Sequence, residues 1–219
     1  VRTIVYVDGY NLYYGLLRKS PHKWLDLFSL FQNHVLSLDA EVLDVRYYTA
    51  PVLARMCDDP DSPRRQRTYL QALRKMPPNK VTIVEGRLEL SKPYLRLVHP
   101  QLNGATTAQV YKLSEKKTDV NLASDLISAA FLGECDQAVV CTNDSDLAPA
   151  LASVRKHCPD MRLGLVVPIP GTDHRRAGRD LVAHAHWWKL LSPVHLSSAQ
   201  LPTKIPHTSL YQPQQWCVR

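Results

Sequence analysis

The sequence predicts an α/β fold: a three-layer αβα, Rossmann-like arrangement around a mostly parallel central sheet. Three observations point to it. Short, continuous apolar runs such as "TIVYV" (Thr3 to Val7), "QAVVCT" (from Gln137) and "RLGLVVPI" (from Arg162) read as strands buried on both faces. Segments with helical spacing separate those runs. The chain has 219 residues, 45% hydrophobic and 21% charged, which suits one soluble α/β domain with a sizeable core.

Taken in order, "TIVYV" is the first strand. Helical spacing follows in "NLYYGLLRK" and, after Pro21, in "KWLDLFSLFQNHVL". "EVLDVRYYTA" (Glu41 to Ala50) is rich in β-formers and stops at Pro51. "SPRRQRTYLQALRKM" reads as a helix, opened by Ser62-Pro63 and closed before Pro77-Pro78. "KVTIVEGRLEL", "YLRLV" and "AQVYKL" are strand-like, and Lys80 to Lys117 is expected to form a hairpin-type insertion beside the sheet. "TDVNLASDLISAAFL" is an amphipathic helix, with Val120, Ala123, Ile127, Ala130 and Phe131 at helical spacing. The strand "QAVVCT" leads into a helix over "DLAPALASVRKH", the strand "RLGLVVPI" and a helix over "GRDLVAHAHWWKLL". The domain is expected to span 1–191. The tail, 192–219, is rich in Pro, Ser and Gln. It is expected to lie extended on the domain or on a partner, a second copy or another protein, with Tyr211 and Trp216 as hooks.

Composition narrows the class. No run of about 18 or more apolar residues exists, so no membrane span is expected. The N-terminus starts almost at once on a core strand without a secretory pattern, and a cytoplasmic location is expected. Five cysteines are scattered with no C-x-x-C pair, which argues against a disulfide framework or a zinc knuckle; Cys141 reads as a buried hydrophobe. A formal charge of +7 hints at an anionic partner, with Arg64, Arg65 and Arg67 in one cluster and Arg175 and Arg176 in another.

The chemistry-bearing residues are acids at strand ends. Asp8 follows the first strand, with Gly9 for a sharp turn and Asn11 three residues on. Asp144 and Asp146 follow "QAVVCT" in the same way, and Asp119 opens the helix before that strand. In open parallel sheets ligands gather beyond the carboxyl ends of the strands. If the strands carrying Asp8 and Asp144 are neighbours, Asp8, Asp144 and Asp146 converge there, with Asp119 facing them. Two carboxylates about 4 Å apart repel by about 4 kcal/mol at an effective dielectric near 20, and a divalent cation relieves that. All-oxygen ligands favour Mg²⁺ or Mn²⁺, and such an ion in a basic protein suggests phosphodiester chemistry. Singly, each acid also reads as a helix cap, Asp146 for the helix after it and Asp119 for its own.

"YVDGYNLYYGL" (Tyr6 to Leu16), "KKTDVNLASDL" (Lys116 to Leu126) and "CTNDSDLAPAL" (Cys141 to Leu151) resemble, in order, the motifs of NYN domains, the LabA-like branch of the PIN-like nuclease superfamily. The likeness runs from about Thr3 to Leu190. Asn143 stands where glycine is common and Leu147 where phenylalanine is common. The tail "HLSSAQLP" is similar to those of bacterial relatives. The resemblance implies a PIN-like fold and metal-dependent RNA cleavage. Asp8, Asp119, Asp144 and Asp146 then hold Mg²⁺ or Mn²⁺, and Asn11 orients Asp8 or meets the scissile phosphate. Asp125, Asn143 and Ser145 support that group, while Lys116, Lys117, Arg64, Arg65, Arg67, Arg175 and Arg176 contact RNA. A second expectation is a non-catalytic RNA-binding or assembly module on the same fold. A third, a Mg²⁺ phosphatase of the haloacid type, lacks its Asp-x-Asp-x-Thr signature after the first strand. His184 and His186 do not share a helix face and, with His174, read as surface or part-buried residues. Trp187 and Trp188 read as core or interface. Tyr10, Tyr13 and Tyr14 read as helix packing, with base stacking as the alternative.

Overall fold

The computed structural model describes residues 1–101, 104–170 and 177–217. The first strand, β1 (Arg2–Asp8), is buried from Thr3 onward. It turns into α1 (Gly9–Leu12), which continues as a π-helical segment, Tyr13–Leu17. A second short helix, α2 (Leu27–Ser29), likewise runs on into π-helical turns, Leu30–Val35. Trp24 and Leu25, expected as helix, instead form extended backbone that Leu25 bridges to Gln200. Then come β2 (Glu41–Thr49), α3 (Ser62–Lys75) and β3 (Val81–Glu85).

The hairpin insertion is present but shorter than expected. Val81–Glu85 belongs to the main sheet, pairing in parallel with β2 from Val45↔Val81 to Thr49↔Glu85. The insertion proper holds β4 (Arg87–Ser91), β5 (Tyr94–Arg96), β6 (Thr107–Gln109) and β7 (Lys112–Lys116). In it β4 pairs with β7 and β5 with β6, both antiparallel. The chain then alternates through α4 (Thr118–Leu132), β8 (Gln137–Cys141), α5 (Ala148–His157) and β9 (Arg162–Val167). It finishes the sheet with α6 (Arg179–His184) and β10 (Trp187–Leu190).

Six strands make the central sheet in the order β10-β9-β8-β1-β2-β3, with every neighbouring pair parallel. Alternate residues feed two cores. Val5, Val7, Val139 and Cys141 pack with Leu30, Phe31, Tyr69 and Leu73 on one face. Ile4, Tyr6, Val140 and Leu165 pack with Leu122, Leu126, Leu151 and Leu181 on the other. This is a three-layer αβα fold. No helix among the described residues is long and apolar enough to cross a membrane, and all five cysteines are free.

One helix was expected where a strand forms. The run "GRDLVAHAHWWKLL" stays helical only through His184. Ala185 is extended, His186 Nδ1 accepts the Leu163 N–H at 2.9 Å, and Trp187 to Leu190 pair with Gly164 to Val167. Pairing with the open edge of β9 overrides the local helical spacing. The tail packs in cis. It begins with α7 (Pro193–Ser198), capped by Ser192, then doubles back so that Lys204 bridges Tyr211, and ends in a short 3-10 turn at Gln214–Trp216. Pro202 accepts from Trp24 Nε1 at 2.9 Å, and Leu201 and Ile205 are buried.

Candidate metal centre

The site forms where β1 and β8 run out side by side. Val7 pairs with Cys141, so Asp8 and Thr142 stand next to each other at the carboxyl end of the sheet. Asp8 caps α1: its Oδ1 accepts the Asn11 N–H at 2.9 Å. Its Oδ2 accepts from the Thr142 hydroxyl at 3.0 Å. Gly9 is required for the close turn, since a Cβ there would lie 2.6 Å from the Tyr48 carbonyl and 2.7 Å from the Tyr47 ring. Both oxygens of this buried carboxylate are therefore aimed before any ligand arrives.

Thr142 links two acids. While donating to Asp8 it accepts the Asp144 N–H at 3.0 Å. Asp144 then caps the turn leading into α5, its Oδ1 accepting the Asp146 N–H at 3.0 Å. This reverses the expected roles, because the cap is Asp144 and not Asp146. Asn143, between them, is tied on both sides: its N–H donates to Asn11 Oδ1 at 2.9 Å, and its Oδ1 accepts the Gly178 N–H at 2.9 Å. Asn11 thus fastens the β1 turn to the β8 turn.

The third acid comes from α4. Lys117 precedes that helix in the left-handed region, at φ 77°, a strained position for a lysine. No side chain caps α4, so Asp119 in its first turn is not the cap considered above. Six residues along the helix, Asp125 Oδ2 accepts from the Tyr48 hydroxyl at 2.7 Å. Asp125 therefore ties α4 to β2 and acts on the site only by fixing that helix.

Ligand oxygens of Asp8, Asp119 and Asp144 all lie within 4.8 Å of one another. Burial raises the Asp8 carboxyl to about 6, despite its hydrogen bonds from Asn11 and Thr142, and the charges of Asp119 and Asp144 add to the rise. Asp119 is raised as well, by desolvation first and then by Asp144 and Asp146. Three converging oxygen donors that repel one another fit a hard divalent cation. The sequence reading missed Glu115 on β7. Its carboxyl is raised by burial and then by the charges of Asp8 and Asp119, although it is not one of the three whose oxygens converge. Its signal was one residue to the left of the motif, in "EKKTD", hidden because only the insertion's fold brings it within reach of those charges.

The other expected residues divide. Asp146 and Ser145 are exposed, and Asp146 lies outside the group of three while its charge reaches Asp119. Lys116 and Lys117 are exposed at the turn before α4. Arg64 and Arg67 are exposed on α3, whereas Arg65 is buried, 2.7 Å from Asp59. Arg175, Arg176 and His174 lie outside the described residues. His184 closes α6 and His186 serves the β9 edge, so neither joins the acids.

A protein of Pseudomonas putida named 6-hydroxy-3-succinoylpyridine 3-monooxygenase HspA is 36% identical over 237 aligned positions, covering 99% of this chain and 75% of that protein. A crystal structure of a protein of unknown function from Vibrio parahaemolyticus superposes with a TM-score of 0.50 at 16% identity, covering 88% of this chain and 93% of that one, and supports the fold alone. The NYN domain profile matches residues 2–163, a span that includes Asp8, Asn11, Asp119 and Asp144, and the chain belongs to the NYN domain family.

Proposed function

We propose that the chain is a metal-dependent ribonuclease that hydrolyses phosphodiesters within RNA. The observation that carries this reading is the convergence of Asp8, Asp119 and Asp144 within 4.8 Å at the carboxyl end of a parallel sheet. Membership of the NYN family and the net charge of +7 support it. Mg²⁺ or Mn²⁺ held by these three carboxylates would supply the positive charge that offsets charge developing on the phosphate. Asn11 and Thr142 keep the Asp8 oxygens fixed, so little reorganisation accompanies binding. Asp146 contributes through water, and Glu115, with its raised pKa, takes the proton of the attacking water. Lys116, Lys117, Arg64 and Arg67 neutralise flanking phosphates, which makes binding fall with salt.

The test is cleavage of single-stranded and structured RNA by the wild type and by Asp144→Asn, with Mg²⁺ or Mn²⁺ and with chelator. Cleavage that needs the metal and drops at least about a hundredfold in the variant is expected, as for loss of a main electrostatic contact. Tight RNA binding without cleavage in either protein would favour a non-catalytic RNA-binding module.

A second reading comes from the Pseudomonas putida relative, whose name describes oxidation of a hydroxylated pyridine bearing a succinoyl chain. The likeness extends through the tail, over 99% of this chain, and that reach favours action on a small anionic aromatic. Oxygen uptake with such a pyridine and an added two-electron donor such as NADH, in the absence of RNA cleavage, would replace the first reading with the second.

A further inference from the structure

A cavity of about 380 Å³ is walled in part by the turn that follows Asp8. Gly9, the residue after Asp8, forms part of its wall, so the cavity and the acidic group share the end of β1. Its rings are those of Tyr10, Tyr13, Tyr14, Tyr47, Tyr69 and Trp216. Trp216 comes from the tail and packs against Tyr69 with ring centroids 6.1 Å apart, so the tail closes part of the wall. Tyr14 is 56% exposed, stacks on Tyr10 with ring centroids 5.9 Å apart and lies edge-to-face with Tyr13.

Three cations line the same cavity: Arg18, Lys23 and Arg65. Arg65 is only 9% exposed. Its Nη2 serves Asp59 at 2.7 Å and Ser62 Oγ at 3.0 Å, and its Nη1 is buried with no hydrogen-bond partner among the described residues. A buried guanidinium nitrogen without an acceptor is costly, and an anion beside it removes that cost. Burial lowers the Lys23 ammonium and the charge of Arg65 lowers it further, so the two cations also repel. Of the acids on the wall, Asp59 is already paired with Arg65, and Asp58 is exposed.

We propose that this cavity binds one nucleotide of the RNA strand next to the scissile phosphodiester, its base against the tyrosine and tryptophan rings and its phosphate at Arg65 and Lys23. The volume is at the small end of ligand pockets and suits one nucleotide unit. Aromatic rings accept any base face, and a forked guanidinium suits phosphate. The inference rests on the ribonuclease reading for the identity of the strand, and binding of the isolated unit needs neither metal nor turnover.

The experiment titrates the full chain, in chelator, with AMP and with UMP, reading tryptophan fluorescence; nicotinate and benzoate are titrated in parallel. Saturable nucleotide binding is expected. It should weaken about tenfold in Arg65→Lys, as for loss of one charge-assisted hydrogen bond, and several-fold in Tyr14→Ala, a surface change that spares the fold. Lys23→Gln is the second charge variant should Arg65→Lys melt early. No nucleotide binding, unchanged affinity in all three variants, or binding of the aromatic carboxylates that nucleotides fail to displace would overturn the proposal. Nucleotide binding in a protein that cleaves no RNA would uphold the cavity and remove the ribonuclease reading. Cleavage without nucleotide binding would do the reverse.

Discussion

At the scale of single residues, Asp8 and Asp144 each do two things at once. Each caps a turn through one oxygen, and each turns its carboxylate toward the other acids. The metal-free protein therefore carries a charge that folding does not favour. Asp8 in the folded chain titrates near 6, above its ordinary value of 3.8. Between those values the native state holds more protons than the unfolded state. This contribution to stability is favourable below pH 4 and is lost as pH rises through 6. In chelator, wild type should be less stable at pH 7.5 than at pH 5, by about 1–1.5 kcal/mol from this group. Asp8→Asn, which keeps an acceptor for Asn11, should flatten that dependence in urea melts and be the more stable protein at pH 7.5. A wild type equally stable at both values would refute the desolvation argument. The positions of Asp8 and Asp144 were legible from strand ends, and that of Asp119 from a helix start. The cap was not, because Asp144 and Asp146 both precede a helix and only backbone geometry chooses between them.

At the scale of elements, the site depends on how α4 is hung. Among the described residues no side chain caps the N-terminus of α4, and Lys117 before it is in a strained conformation. The Tyr48–Asp125 hydrogen bond supplies a tie to β2, and Tyr48 is itself buried and stacked on Tyr6 at 6.4 Å. Tyr48→Phe should cost about 1–2 kcal/mol in denaturant melts. It should also weaken metal binding although no ligand is touched, since Asp119 moves with the helix. Loss of stability with unchanged metal affinity would show that α4 is positioned by its apolar face alone. Elements buried on both sides, β1, β8 and β9, could be read from composition. The strand β10 could not: Ala185 to Leu190 keeps helical spacing in sequence, and only the open edge of β9 with Gly164, where a Cβ would meet the Trp187 ring at 2.2 Å, makes it a strand. Glu115 escaped for the same reason, since a hairpin supplies it.

At the scale of the whole molecule, the tail is part of the fold. Ile205 is fully buried in the core that also holds Trp24, Phe31 and Tyr69, and Trp216 packs on Trp24 and Tyr69. Ile205→Ala should destabilise the protein by about 2–5 kcal/mol, as for a core truncation, and urea melts would register it. A loss below about 0.5 kcal/mol would mean that the tail is only loosely attached in solution. The sequence showed isolated apolar residues in a polar tail. It could not show that their partners lie more than 170 residues earlier, as in Trp24 Nε1 to Pro202.

The central claim is that Asp8, Asp119 and Asp144 form one divalent-cation site on a nuclease-type fold. Calorimetric titration with Mn²⁺ at pH 7.5 tests it most directly, comparing wild type with Asp144→Asn, which keeps the cap to Asp146 while removing the charge. The account predicts saturable binding in wild type and at least about tenfold weaker binding in the variant, with the apo variant as stable as wild type or more so. Equal Mn²⁺ affinity in the two proteins, or no binding in wild type, would contradict it.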